Sequence, residues 1–383
     1  MKRKICYVTG SRAEYGLMRH TLNRMNKEFD LSLIVTGMHL KKEFGFTLKE
    51  IEKDKFKIRA KIDSFSDKDT GEAMAESLGQ TLIKTAILLS KNKPEIILLT
   101  GDRIEIYGAA IAAALLNIPI VHIHGGDQGD NGAHIDDQIR HSITKFAHIH
   151  LAATKKSAQR IIRMGEQPWR VHVVGTPGLD EIIKEKLHSK NYLKNKFKLN
   201  FEKPYILALQ HPTLTQVKMA GLQMKETLEA IKETALPTIL IYPNTDPGSR
   251  QIIKVIGKYK NLPFLKTYKS LPRKEFLSLM KYCALMIGNS SSGTIDSPAF
   301  KIPTVNIGIR ETTREHAGNK IFVNNNKNEI LKAINRCLND KKFLCKVKNC
   351  KNPYGDGKAT EKIIEILKNL KIDNKLLVKS LTY

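Results

Sequence analysis

Ionisable side chains gather at three places between residues 100 and 141: Thr100-Gly101-Asp102-Arg103, His122-Ile123-His124-Gly125-Gly126-Asp127 and Ile135-Asp136-Asp137-Gln138-Ile139-Arg140-His141. Carboxylates and imidazoles together can take up and deliver protons, and arginines beside them can hold an anionic substrate. The first two groups close short apolar runs, and the third opens a helical pattern. Alternation puts His122 and His124 on one face of a strand end. His122 reads rather as a core histidine with its own hydrogen bond, whereas His124, against the glycines, reads as a ligand contact. The helix dipole favours acids in a first turn, so capping accounts for one of Asp136 and Asp137 and leaves the other for chemistry.

Other turns carry groups suited to a phosphate. In Gly10-Ser11-Arg12-Ala13-Glu14-Tyr15-Gly16 the glycines let a ligand approach the backbone, and Arg12 either clamps a phosphate or caps the turn. The spacing is not G-x-G-x-x-G, so a dinucleotide site does not follow. Gln210-His211-Pro212 and Tyr242-Pro243-Asn244 end later apolar runs. In Gly288-Asn289-Ser290-Ser291-Ser292-Gly293, hydroxyls and backbone N–H groups converge where a helix begins, and Asp296 stands one turn on, in position to accept ribose hydroxyls. H-E-x-x-H, paired C-x-x-C, EF-hand and G-x-S-x-G spacings are absent, which argues against zinc-dependent and serine hydrolases.

These turns need strands and helices to aim them. Strands are expected at 5–9, 31–36, 96–100, 118–122, 149–153 and 171–174, then at 205–209, 238–242, 262–265, 284–287 and 304–307. Helical periodicity separates them, as in Met74–Leu89 with Met74, Leu78, Leu82, Ile83, Ala86 and Leu89 on one face. Further helices are expected at 104–116, 139–147, 222–235, 274–282, 330–338 and 360–370. The alternation predicts an α/β protein with two doubly wound, Rossmann-like domains. The polar stretch 184–203 reads as the interdomain segment, giving domains at 1–183 and 184–365. Tandem domains of this kind are expected to face each other across a ligand-binding cleft.

At 383 residues the chain is long for one core, and 41% apolar content is that of a globular protein. No apolar run approaches the ~18 residues of a membrane helix, and the opening Met1–Gly10 reads as a buried strand rather than a signal peptide, so a cytoplasmic protein without membrane insertion is expected. The five cysteines are odd in number and read as reduced structural thiols. A net charge of +26 is spread over lysines along the whole chain with little aromatic interleaving. That pattern reads as solvated helix faces that draw in an anionic substrate at long range, not as a nucleic-acid surface.

The motifs Gly10–Gly16, Val35-Thr36-Gly37-Met38-His39, Gly101-Asp102-Arg103, His122–Gly126, Arg140–Lys145, Gly288–Gly293 and Asn352-Pro353-Tyr354-Gly355-Asp356-Gly357 together resemble the hydrolysing UDP-N-acetylglucosamine 2-epimerases of sialic-acid and related nonulosonic-acid biosynthesis. The resemblance implies a GT-B-like fold, with the terminal helix, 366–383, packing back on the first domain. It implies anti elimination of UDP to a glycal, then hydration to the free 2-epimeric sugar, without metal or redox cofactor, in a homodimer or homotetramer. It places Asp102, His124 and Asp136 at the catalytic positions, with histidine at 124 where many members carry glutamate. His211 matches the histidine that meets the diphosphate or helps proton transfer. Arg12 and Arg103 match substrate contacts, and Asn244, Ser290, Ser291, Ser292, Gly293, Asp296 and Arg310 match the nucleotide site. Asp296 replaces a glutamate. Gly16-Leu17 stand where non-hydrolysing relatives carry a lysine, which favours release of free sugar. A non-hydrolysing 2-epimerase or a GT-B glycosyltransferase is the alternative; the latter would leave C2 unexchanged and needs fewer acid–base groups than the first domain holds.

Overall fold

The run Ile96-Ile97-Leu98-Leu99-Thr100 offers no polar face, which is the pattern of a strand covered on both sides. In the computed structural model of the chain all five residues are buried. Leu98 packs with Tyr7 and Val121 on one face of a sheet. Ile97 and Leu99 pack with Val8 and Ile120 on the other. The structure describes residues 2–42, 45–64, 70–128, 135–244 and 246–382.

The described chain forms two compact units. The first comprises Met1–Gln128, Ile135–Lys184 and Tyr354–Tyr383; the second runs over Glu185–Pro353. In the first, β1 (Lys4–Thr9), β2 (Asp30–Thr36), β3 (Lys57–Ile62), β4 (Ile96–Thr100), β5 (Ile120–Ile123), β6 (Ile149–Ala152) and β7 (Val171–Val173) form one parallel sheet in the order β3-β2-β1-β4-β5-β6-β7. In the second, β8 (Ile206–Leu209), β9 (Thr238–Ile241), β10 (Leu265–Tyr268), β11 (Leu285–Gly288), β12 (Thr304–Ile307) and β13 (Lys320–Val323) run β10-β9-β8-β11-β12-β13, again all parallel. Strand order reverses between β1 and β4 and between β8 and β11. The crevice outside the carboxyl ends at such a reversal is where open α/β sheets bind ligands.

Several elements depart from the sequence reading, which placed no helix at Leu48–Lys53, Lys155–Arg163, Pro177–Lys184, Ser249–Tyr259 or Lys341–Lys348, and three departures are instructive. Both unexpected strands, β3 and β13, lie at sheet edges. In β3 lysine and arginine alternate with half-buried Ile58 and Ala60, so the apolar run that marks an inner strand is missing. The third is a helix, Lys190–Phe197, inside the stretch read as interdomain. Leu193 and Phe197, one turn apart, are buried, while most of its lysines face solvent.

The segment from Tyr354 onward completes the first unit. Ile363, Ile364, Leu367 and Leu376 join the core of Tyr7 and Leu98. Fully buried Arg170 donates to the carbonyls of Leu376 (2.8 Å), Lys375 (2.8 Å) and Val378 (2.9 Å). Lys379 Nζ donates to the carbonyls of Thr144 (3.1 Å), Lys145 (2.7 Å) and Ala147 (2.8 Å), at the carboxyl end of helix Ile135–Phe146. Among the described residues no helix is long and apolar enough to cross a membrane.

Candidate active site

The site of the first unit is built at the ends of β1, β4 and β5. After β4 the chain turns through Gly101 at φ +77°, a left-handed conformation that glycine adopts without a Cβ clash. Asp102 and Arg103 follow, and Arg103 is the N-cap of helix Ile104–Leu115. The Asp102 carboxylate is met by Arg140 Nη2. The same guanidinium donates through Nη1 to Asp137 Oδ1 at 2.5 Å and to the Asp127 carbonyl at 2.9 Å. Arg140 is 3% exposed. One buried cation thus ties the strand end carrying Asp102, the loop after β5 and the first turn of helix Ile135–Phe146. Asp137 is the acid held in this way, and Asp136 beside it is half-buried.

The two strand-end histidines have separate surroundings. His122 is fully buried, its Nε2 donates to the Gly101 carbonyl at 2.8 Å, and burial pulls it down to about 3, so it is neutral. His124 continues the chain at φ +64°, uncommon for a residue with a side chain. Its Nδ1 lies 2.9 Å from Asp127 Oδ2 and its Nε2 2.8 Å from Thr176 Oγ1. Asp127 Oδ1 accepts from Ser157 Oγ at 2.7 Å.

Under the loop after β1 lies a buried carboxylate pair. Ser11 caps helix Arg12–Glu28, and Glu14 Oε2 accepts from the backbone N–H of Gly10 (2.9 Å) and Ser11 (3.1 Å). Glu105, 2% exposed, lies so close that a Cβ on Gly10 would sit 3.1 Å from it and one on Gly37 2.6 Å from its Oε1. Burial and the Glu105 charge push Glu14 up to about 8. Arg103 Nε stands 3.5 Å from Glu105 Oε2, and Arg12 opens the helix above. His39 spans Thr9 (3.0 Å) and Thr47 (2.7 Å) and is held down at about 3 by burial.

In the second unit the ends of β8 and β11 are cross-linked by one side chain. Asn289 Oδ1 accepts from the His211 backbone N–H (2.7 Å), and its Nδ2 donates to the His211 carbonyl (2.9 Å). His211 Nδ1 accepts from the Asn244 N–H at 3.0 Å, which leaves the neutral ring's proton on Nε2. Asn244 Nδ2 donates to Asp246 Oδ2 at 2.5 Å, and Arg310 stands 3.6 Å from Asp246. Gly288, at φ +128°, passes so near β8 that a Cβ would lie 2.0 Å from the Leu209 carbonyl oxygen. Ser290 is buried, and Ser291 and Ser292 are half-buried at the start of the single-turn helix Ser292–Ile295, where Gly293 packs on Thr304. Asp296 is 3% exposed, and each of its oxygens accepts from Arg273 at 3.0 Å. The carboxylate at that point is already matched by a guanidinium.

The structure therefore brings Asp102 to Arg140 and places His124 against Asp127 in the first unit, and joins His211, Asn244 and Arg310 around Asp246 and Asn289 in the second. Sequence reading missed Asp127, Ser157, Thr176 and Arg273 as partners. Only Asp127 left a signal: an acid three residues after His124, across two glycines that let the chain fold back.

Two parallel, doubly wound α/β units, each with polar residues gathered at its strand-order reversal, define a protein of the Rossmann-like α/β class. The family model for UDP-N-acetylglucosamine 2-epimerase matches residues 21–368, and the chain belongs to that family. It is 38% identical, over the full length of both chains, to UDP-N,N'-diacetylbacillosamine 2-epimerase (hydrolyzing) of Legionella pneumophila. It is 36% identical to GDP/UDP-N,N'-diacetylbacillosamine 2-epimerase (hydrolyzing) of Campylobacter jejuni, with 97% of each chain covered. Against UDP-N-acetylglucosamine 2-epimerase of Neisseria meningitidis the identity is 31% over 96% of each. In fold it is similar to the Methanocaldococcus jannaschii UDP-GlcNAc 2-epimerase solved with UDP-GlcNAc and UDP, with a TM-score of 0.78 at 22% identity over 95% of this chain and 99% of that one.

Proposed function

We propose that the protein is a hydrolysing 2-epimerase that converts a UDP-linked 2-acetamido hexose to UDP and the free 2-epimeric sugar. The observation that carries this reading is the acid–base group at the ends of β4 and β5, with Asp102 held by Arg140 and His124 paired with Asp127. Full-length identity to two relatives whose names specify hydrolysis supports the second half of the reaction. Their higher identity than that of the Neisseria relative supports a 2,4-diacetamido-6-deoxy sugar over N-acetylglucosamine.

The chemistry sets the roles. The proton on C2 is weakly acidic, so a positioned base must take it as the C1–O bond breaks. The C2–H electron pair becomes the C1=C2 bond of a glycal, and the C1–O pair leaves with UDP. Asp102, His124 and Asp136 are the groups proposed to move protons. Arg12, Arg103 and His211, whose Nε2–H is a donor, are proposed to stabilise the departing diphosphate. Asn244, Ser290, Ser291, Ser292, Gly293, Asp296 and Arg310 are proposed to hold the nucleotide. Water then adds at C1 and a proton returns to C2 on the opposite face.

The test is incubation with a panel of UDP- and GDP-hexosamines in heavy water, followed by proton NMR. Free 2-epimeric sugar carrying deuterium at C2, with stoichiometric nucleoside diphosphate, is expected. Intact sugar nucleotide recovered as a mixture of epimers would assign the non-hydrolysing reaction, and transfer without exchange at C2 would assign a glycosyltransferase.

A further inference from the structure

We propose that Asp127 is a positioning residue that locks His124 in its Nδ1–H tautomer, leaving Nε2 as the proton acceptor of the acid–base group. The proposal rests on the 2-epimerase reading for the use of that acceptor, and on geometry alone for the tautomer. Asp127 is 3% exposed. Its Oδ2 lies 2.9 Å from His124 Nδ1, and its Oδ1 accepts from Ser157 Oγ at 2.7 Å. An ionised carboxylate only accepts, so the imidazole proton sits on Nδ1. Nε2 then accepts the Thr176 hydroxyl at 2.8 Å.

The carboxylate is itself held in place. Ser157 lies in helix Lys155–Arg163, where its N–H is capped by Thr154 and its Oγ is 3.0 Å from Thr154 Oγ1. The backbone of His124 is pinned by its N–H on the Leu151 carbonyl at 3.1 Å. A left-handed residue held from both sides is the kind of local strain that a site retains when it fixes a side chain.

Among the described residues, the charged and titratable groups around this imidazole leave Asp127 as its charge partner. His122 and His141 are pulled down to about 3 and about 4 by burial, and buried His150 is turned to Glu166 at 3.1 Å. Arg140 and Arg160 donate to the carbonyls of Asp127 and Gly126. Asp102 and Asp137 are matched by Arg140. The proton from C2 reaches Nε2 through the Thr176 hydroxyl, which takes it as it passes its own proton to Nε2; the imidazolium that forms lies directly against the Asp127 carboxylate and donates back to the Thr176 oxygen. The carboxylate thus orients the imidazole and offsets the charge it carries after proton transfer.

The experiment uses the full-length protein labelled with ¹⁵N-histidine, the His124 signals being those lost in His124→Asn. Wild type is expected to show a protonated Nδ1 and an unprotonated Nε2 near neutral pH, and Asp127→Asn to lose that preference. In the same variant kcat is expected to fall ~10²-fold with KM within about threefold, and the acid limb of the rate profile to move. Ser157→Ala, which keeps the carboxylate, is expected to show the same signature at under tenfold. An Nε2–H tautomer in wild type overturns the proposal. So does an Asp127→Asn protein with unchanged tautomer and profile and only a lower melting temperature. The NMR arm needs no substrate: failure of every sugar nucleotide to turn over would refute the 2-epimerase reading, and the tautomer would still decide the role of Asp127.

Discussion

Replacing Arg140 by alanine should uncouple the first unit's site and destabilise that unit together. The guanidinium is 3% exposed and donates to Asp102, to Asp137 Oδ1 at 2.5 Å and to the Asp127 carbonyl at 2.9 Å. Hydrogen bonds to charged groups contribute about 1.5–3 kcal/mol each. The Asp102 side chain is 20% exposed, so water recovers part of its share, whereas Asp137 at 8% is left nearly dry. Breaking one side of a buried ion pair costs roughly 3–5 kcal/mol, because the remaining charge stays uncompensated. We expect a loss in that range for Arg140→Ala. Arg140→Lys keeps the charge but not the planar fork, so it should recover only part of the loss. The assay is urea unfolding followed by fluorescence of Trp169, the single tryptophan, which lies in the first unit. With a urea slope of roughly 3 kcal/mol/M, the midpoint should fall by about 1–2 M. A variant within ~1 kcal/mol of wild type and with unchanged turnover would refute the assignment of Arg140 as the organiser of these carboxylates.

Three further outcomes can be checked directly. Asp102→Asn should lower turnover by ~10²-fold or more while leaving nucleotide affinity, measured by calorimetry, nearly unchanged; full activity removes Asp102 from the proton-moving groups. Gly288→Ala places a methyl 2.0 Å from the Leu209 carbonyl oxygen and should force β8 and β11 apart, giving loss of UDP binding and of cooperative unfolding in the second unit, and an intact variant would show that this approach is slack. Stability should also follow pH with two opposed slopes. His39, His122 and His141 lie below their ordinary value in the folded chain, at about 3, 3 and 4, so the unfolded chain binds more protons and stability is lost as pH falls below about 6.5. Glu14 is raised to about 8, so the folded chain binds the extra proton and stability declines as pH rises from about 4.5 to 8. The contribution of these four groups therefore peaks near neutrality, and Glu14→Gln should flatten its alkaline side in pH-resolved urea melts; an unaltered slope would remove Glu14 as its source.

What the sequence made legible follows from where the information is local. Inner strands such as β4 and β11 are apolar at nearly every position, and their glycine-lined ends follow within a few residues, so Gly101-Asp102-Arg103 and Gly288–Gly293 could be placed on their turns. Charged edge strands lack that pattern, and β3 passed unnoticed. Partners distant in sequence were equally hidden. Thr176 reaches His124 from 52 residues away and Ser157 reaches Asp127 from 30, and no periodicity links them. Asp296 could be located but not its state, because Arg273, 23 residues earlier, is what neutralises it. In Asp136-Asp137 the reading favoured the first acid by position, and what it could not show is that the Arg140 fork occupies the second.

The strap formed by Arg170 and Lys379 bears on how the polypeptide is made. Residues from Tyr354 onward emerge from the ribosome only after all of Glu185–Pro353, yet they seal the sheet that was synthesised first. The later-born lobe can mature on its own contiguous stretch, while the earlier one must wait, partly open, for its closing piece. A message cut short near its 3′ end would thus yield a molecule whose second unit is finished and whose first is left ajar, a natural substrate for chaperones and proteases.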